Sequence, residues 1–197
     1  MKVLVTSFEA FQNFASNPSF EVMNELRHDQ RVHSLPDVEI VFRSIEVSWN
    51  AVSIFIDESR LDHFDLILHM GVATGERNTR IELMGRNVCS GTDVHGKIPD
   101  LEVIKENAAN EHTNISLPII NKLLGQFGFV KTSDNAGSYL CNYIYYKSLC
   151  AFRNKSLVVF IHIADYHNNP EAVSLADQVG FVKEMIFELI NQQLRLS

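Results

Sequence analysis

Three apolar runs constrain this chain most: Lys2-Val-Leu-Val-Thr6, Leu66-Ile-Leu-His-Met-Gly71 and Leu157-Val-Val-Phe-Ile-His162. Each has the length of a strand, and none alternates polar with apolar residues. A strand that is apolar on both faces must be covered on both faces, and parallel sheets sandwiched by helices do this. Between the runs lie segments with helical spacing. Asn17-Pro18 reads as a helix start, Asn as N-cap and Pro in the first turn, followed by Val22, Met23 and Leu26 on one stripe. Val38–Val47 reads as a further strand, Trp49–Arg60 as a helix, Leu117–Phe127 as a helix and the residues around Val130 as a short strand. Ser138–Phe152 and Glu171–Leu194 read as helices, the latter with Val173, Leu175, Val179, Val182, Met185, Ile186, Leu189 and Ile190 on one side. Asn78–Asn87 reads as extended and Ser90–Asn114 as mostly loop. The alternation predicts an α/β class: a single domain over residues 1–197, an α/β/α sandwich around a twisted, mostly parallel mixed sheet.

Composition narrows the functions. With 46% hydrophobic and 21% charged residues in 197, the chain can bury an ordinary globular core. The net charge of −7 and the lack of a Lys/Arg run argue against nucleic acid. The longest apolar run is far short of the roughly 20 residues that span a bilayer, so no membrane is expected. Met1 leads straight into a strand, without the apolar stretch and cleavage site of a signal peptide. The three Cys (Cys89, Cys141, Cys150) are odd in number and lack metal-ligand spacing, which fits a reduced, cytoplasmic setting.

Chemistry concentrates in Ser133-Asp-Asn-Ala-Gly-Ser-Tyr-Leu-Cys141. Gly and Ser precede the helical stretch, which puts Cys141 in or near a first turn, where unpaired N–H groups and the helix dipole favour a thiolate. A Cys among Tyr and Leu also reads as core. Against that stand His162, at the end of a buried strand where α/β proteins keep their chemistry, and Glu82 in Thr79-Arg-Ile-Glu82. A Cys–His pair oriented by a carboxylate is an activated nucleophile. Glu82 reads equally as a surface carboxylate. His162, Asp165 and His167 form a weak metal candidate, since their spacing shares neither a strand nor a helix face. Phe8, Phe11 and Phe14 read as core or as a loop lining a cavity.

These segments together resemble the type I pyroglutamyl peptidases. Val3-Leu-Val-Thr-Ser-Phe8-Glu-Ala-Phe11 with Asn17-Pro18-Ser19 is similar to the family's opening. His69-Met-Gly71-Val-Ala-Thr-Gly75 resembles its glycine-containing strand end, and Ile81-Glu82 through Asn87 its acidic segment. Ser116-Leu-Pro118 matches a short motif, Ser133 through Asn142 the nucleophile motif, and Phe160-Ile-His162 the histidine strand. The resemblance implies Cys141 as nucleophile, His162 as general base then acid, and Glu82 as the group orienting the imidazole. It implies substrate contacts from Phe8, Phe11, Asn17, Gly71 and Val72, with the two Phe lining a pocket for the flat pyrrolidone ring. It implies a peptide with N-terminal pyroglutamate as substrate, no cofactor, no metal, and a homo-dimer or tetramer.

The departures fall around the pocket. Leu83 stands where the family usually has Arg, Ala164 where it has Pro, and Lys97-Ile-Pro-Asp100 is a displaced counterpart of its Arg-Ile-Pro-Asp. Two alternatives therefore stay open: a thiol amidohydrolase for another small amide, and a degenerate member that binds or assembles without turnover.

Overall fold

The computed structural model describes residues 1–10, 16–100 and 102–196. Eight strands and six helices follow in the order β1 (Lys2–Phe8), α1 (Pro18–His28), α2 (Gln30–His33), β2 (Glu39–Ile45), α3 (Trp49–Ser59), β3 (Leu66–Ala73), β4 (Thr79–Glu82), β5 (Met84–Gly85), β6 (Glu111–His112), α4 (Leu117–Gln126), β7 (Val130–Ser133), α5 (Leu140–Phe152), β8 (Leu157–Ala164) and α6 (Leu175–Leu196). Six strands form one sheet in the order β2-β1-β3-β8-β4-β7. All neighbours are parallel except β4 and β8, which are antiparallel. β5 and β6 make a separate small ribbon.

The central strands β3 and β8 are buried at every position, as continuous apolar runs require. Their odd and even residues feed two cores. Leu66, Leu68, Met70, Val159, Ile161 and Ile163 pack with α1, α4 and α6. Ile67, Val158 and Phe160 pack with α3 and α5. Burying the roughly 0.8 kcal/mol per CH₂ of two such layers ties the helices to both faces.

Several boundaries differ from expectation. β3 does not end at Gly71 but runs to Ala73 beside Ala164 of β8. α6 starts at Leu175, not Glu171: Ser174 Oγ accepts from the Asp177 N–H at 3.2 Å and donates to the Asp177 carboxylate at 2.7 Å, so Val173 lies outside the helix. Asp29 caps the short α2, which the apolar pattern does not announce. The loop expected over Ser90–Asn114 contains the β6 ribbon strand.

Candidate active site

The site lies on the α5 face of the sheet. Register places the residues there. Gly71 of β3 pairs with His162 of β8, and His162 is opposite Arg80 of β4; Phe160 is opposite Glu82. Residues paired across strands share a face, and so do residues two apart. Gly71, Phe160, His162, Arg80 and Glu82 therefore all point toward α5, while Ile81 points to the other core.

The His162 Nδ1–H donates to Glu82 Oε1 at 2.6 Å. Glu82 is 0% exposed and His162 5% exposed, so this is a charge-assisted bond in a dry setting. The ring of His162 packs edge-on against Phe160 with centroids 4.9 Å apart. From the helix above, Tyr145 donates its hydroxyl to the Glu82 backbone carbonyl at 2.9 Å, which fixes the end of β4. With Nδ1 committed to Glu82, Nε2 is the ring nitrogen free to exchange a proton elsewhere.

Cys141 is the second residue of α5. The chain reaches it through a turn in which Gly137 takes a φ of +86°, a left-handed conformation that favours glycine. Asn135 Oδ1 accepts from the Gly137 N–H at 3.1 Å. The N-cap, Tyr139, supplies no side-chain hydrogen bond, so the N–H groups of the first turn are not capped by it. Cys141 is half-buried. Its Sγ lies directly over Gly71: a Cβ built on that glycine would sit 2.6 Å from the sulfur and 3.1 Å from Phe160 Cζ. Gly71 is the register partner of His162, so the sulfur stands over the strand next to the one that carries His162.

The thiol itself departs from expectation. Burial, and next the negative charge of Glu82, push Cys141 up to about 12, against a small lowering by its own backbone N–H. Desolvation outweighs the helix start here and opposes the thiolate that the helix dipole favours.

A small cavity of about 20 Å³ opens beside the sulfur. Its walls include Phe8, Asn17, Val47, Val72, Tyr139 and Cys141. Phe8, Asn17 and Val72, expected from sequence, thus come together with Cys141, and Gly71 forms the floor under the sulfur. Phe11 and Phe14 lie outside the described residues. Asn17 is both cap and wall: its Oδ1 accepts from the Ser19 N–H at 3.0 Å and its Nδ2 donates to the Glu9 carbonyl at 3.1 Å. Lys97, Ile98 and Asp100 instead line a surface groove with Trp49 and Tyr143. The weak metal candidate does not converge. Asp165 accepts from the Gly75 N–H and from Asn168, and His167 faces Glu21.

The sequence pattern does not single out Val47 or Tyr139 as cavity walls. Tyr139 is held by edge-on contact with Trp49 at 5.4 Å and by its hydroxyl bond to the Thr92 carbonyl. Its place two residues before Cys141 is the signal the sequence does carry. Asn142 escapes the pattern as well. Wholly buried, it accepts from the Arg86 N–H and donates to the Arg86 and Val88 carbonyls, each at 2.8 Å, stitching the start of α5 to the loop after β5.

An α/β/α sandwich with a thiol, an imidazole and a buried carboxylate gathered on one sheet face belongs, as a class, with the α/β thiol hydrolases. More narrowly, the chain belongs to the pyroglutamyl peptidase family, whose sequence pattern matches residues 1–196. It is 29% identical over 173 residues to a pyrrolidone-carboxylate peptidase of Thermosipho africanus, covering 83% of this chain and 81% of that one. It is 27% identical over 200 residues to pyrrolidone-carboxylate peptidase 2 of Caldanaerobacter subterraneus, covering 94% and 95%. A structure of a mutant pyrrolidone carboxyl peptidase from Pyrococcus furiosus superposes with a TM-score of 0.83 at 25% identity, covering 98% of this chain and 99% of that one.

Proposed function

We propose that this protein is a cysteine exopeptidase that removes an N-terminal pyroglutamyl residue from peptides, with Cys141 as nucleophile, His162 as base then acid, and Glu82 orienting the imidazole. The observation that carries the reading is the 2.6 Å bond from His162 Nδ1 to the fully buried Glu82, on the sheet face where the Cys141 sulfur rests over Gly71. Family membership and the names of the relatives agree with it.

Burial that opposes the thiolate favours proton transfer in step with attack. As the Cys141 sulfur bonds to the pyroglutamyl carbonyl carbon, its proton passes to His162 Nε2, and the carbonyl electron pair moves to oxygen. Glu82 stabilises the imidazolium through Nδ1–H without taking its proton. The uncapped N–H groups at the start of α5 are aimed at the same region and suit the developing oxyanion, each such donor being worth about 10²–10³ in rate. Collapse of the tetrahedral species breaks the C–N bond, and the leaving amine takes the proton from His162. Water, deprotonated by the same ring, then releases the acyl group from sulfur. The apolar walls Phe8, Val47 and Val72 suit a flat ring with no charged side chain, whereas an N-terminal Gln, with a cationic amine, would be desolvated there at a cost.

The test is hydrolysis of a fluorogenic pyroglutamyl amide. Turnover that iodoacetamide abolishes and Cys141→Ser removes is expected. Turnover of the amide by Cys141→Ser would defeat the mechanism. Selective alkylation of Cys141 with no release from the pyroglutamyl amide would point to another small amide as substrate.

A further inference from the structure

Among the described residues, three buried side-chain polar atoms lack a hydrogen-bond partner: Ser7 Oγ, Arg80 Nε and Glu82 Oε2. Two of the three belong to one place. Arg80 and Glu82 lie two residues apart on β4, on the face shared with His162, and Arg80 is directly opposite His162 in the antiparallel register. Arg80 Nε stands 3.6 Å from Glu82 Oε1, the oxygen that also accepts from His162. A donor without an acceptor and a carboxylate with a spare oxygen thus sit side by side in a dry pocket, where either one left alone costs free energy.

We propose that Arg80 is a positioning residue of this active site, pairing with Glu82 so that its carboxylate stays turned toward His162. The proposal rests on the Cys141–His162–Glu82 reading above and extends it by one member. Leu83, the next residue along, packs against the core on the other face and brings no charge. Arg80 is thus the cation that β4 itself supplies next to its buried carboxylate. A guanidinium fits this role because it keeps its charge in a partly buried setting and offers donors in a rigid plane. A carboxylate pressed only against an imidazole can draw the proton onto itself; a fixed cation on its flank opposes that.

The surrounding charges leave this assignment to Arg80. Glu76, in the turn before β4, holds the outer end of the guanidinium with Nη1 at 3.4 Å. Lys131 of β7 is the register partner of Arg80, but it is exposed and reaches the Gly128 carbonyl at the sheet edge. From α5, Tyr145 is kept protonated by burial and bonds the Glu82 backbone, and Cys141 is the nucleophile. From β8, His162 is the partner the arrangement serves.

The experiment uses the full chain with Arg80→Gln, Arg80→Lys, Glu82→Gln and the double variant R80Q/E82Q. Turnover of the fluorogenic pyroglutamyl amide is followed against pH, with melting temperatures alongside. For R80Q we expect kcat to fall about tenfold with KM held within about twofold, as for other residues that orient a catalytic group. The acidic limb of kcat/KM should move to higher pH by about half a unit or more, because removal of a nearby cation makes every neighbouring group easier to protonate. R80K should return the limb toward its original position while regaining only part of kcat. R80Q/E82Q should be no slower than E82Q alone. An unmoved limb in R80Q, or losses that simply add in the double variant, overturns the proposal. If R80Q does not fold, the coupling between R80K and E82Q decides in the same way, and zero coupling overturns it. His162→Ala separates this from the underlying reading: full activity in that variant defeats the Cys–His mechanism, whereas an inactive H162A with an unmoved R80Q limb defeats Arg80 alone.

Discussion

Gly71 and the Cys141 sulfur occupy the same point of the β3–α5 interface: any side chain at position 71 would begin 2.6 Å from Sγ. The requirement is for space, since a Cβ there has no second direction to take, with Phe160 Cζ at 3.1 Å. Gly71→Ala is expected to push the sulfur off its place over the sheet. A displacement near 1 Å at the nucleophile costs about 10² in rate, and overpacking costs about 1–3 kcal/mol in stability. Kinetics with the pyroglutamyl amide and a urea melt check both. In a Cys141→Ala background the same glycine substitution should lose most of its stability cost, because the atom it strikes is gone.

The raised thiol makes a distinct prediction about alkylation. A preformed thiolate–imidazolium pair gives a reaction rate with iodoacetamide that is flat across neutral pH. Here burial and Glu82 push the thiol up to about 12. The rate at Cys141 should instead climb with pH throughout the range from about 6 to 9, about tenfold per unit once His162 is replaced by Ala. Site-resolved mass spectrometry after timed alkylation separates Cys141 from buried Cys89 and exposed Cys150. A flat neutral plateau in the unmodified protein would show that the pair is ionised at rest.

What is legible in the sequence follows from what local pattern can carry. β1, β3 and β8 announce themselves because strands buried on both faces cannot alternate. Cys141 and His162 follow from the turn before α5 and the end of β8, both local features. Glu82 is ambiguous for a physical reason: Thr79-Arg-Ile-Glu82 alternates like any half-exposed strand. Only its antiparallel pairing with β8 buries the carboxylate beside His162. Arg80, Val47 and Tyr139 reach the site through register and cross-chain packing, which no spacing rule encodes. The helix start that favours a thiolate is visible in the sequence, whereas the burial of the sulfur and the neighbouring charge of Glu82, which oppose it, exist only in three dimensions. The start of α6 is readable, since Ser174 with Asp177 three residues on is a capping pattern; the apolar stripe, by taking in Val173, points too far upstream.

His69 gives the protein a built-in acid sensitivity away from the chemistry. It is buried on β3 with Thr6 Oγ1 2.7 Å from Nδ1 and Ser148 Oγ 2.8 Å from Nε2, so it ties β1 and α5 to the central strand. Burial lowers it to about 3 in the folded chain, while unfolded it titrates near 6.5. Between those values the unfolded chain binds a proton that the folded one refuses, so stability falls as pH drops from about 6.5 toward 3. The loss approaches roughly 5 kcal/mol at the low end, at about 1.4 kcal/mol per unit. His69→Gln should be less stable at pH 7 yet lose less on going to pH 4.5. Urea midpoints at the two pH values measure the difference in slope, and equal slopes would count against a buried neutral imidazole.

Asn142 supports the helix that carries Cys141 by hydrogen bonds alone. Its three bonds to Arg86 and Val88 are all within the buried junction between α5 and the loop after β5. That loop continues to Ser90, whose N–H donates to the Ser138 carbonyl at 2.7 Å, so the segment before Cys141 is held from both sides. Asn142→Ala strands one N–H and two carbonyls, and a loss of about 2–4 kcal/mol is expected from urea denaturation. Asn142→Asp is the sharper probe. It keeps the acceptor for the Arg86 N–H but turns a carboxylate toward two carbonyl oxygens. It should therefore be at least as destabilised as the Ala variant at pH 7, and should recover toward it as the carboxyl protonates at low pH. Destabilisation of Asp well below that of Ala would mean that the two donated bonds carry little of the junction.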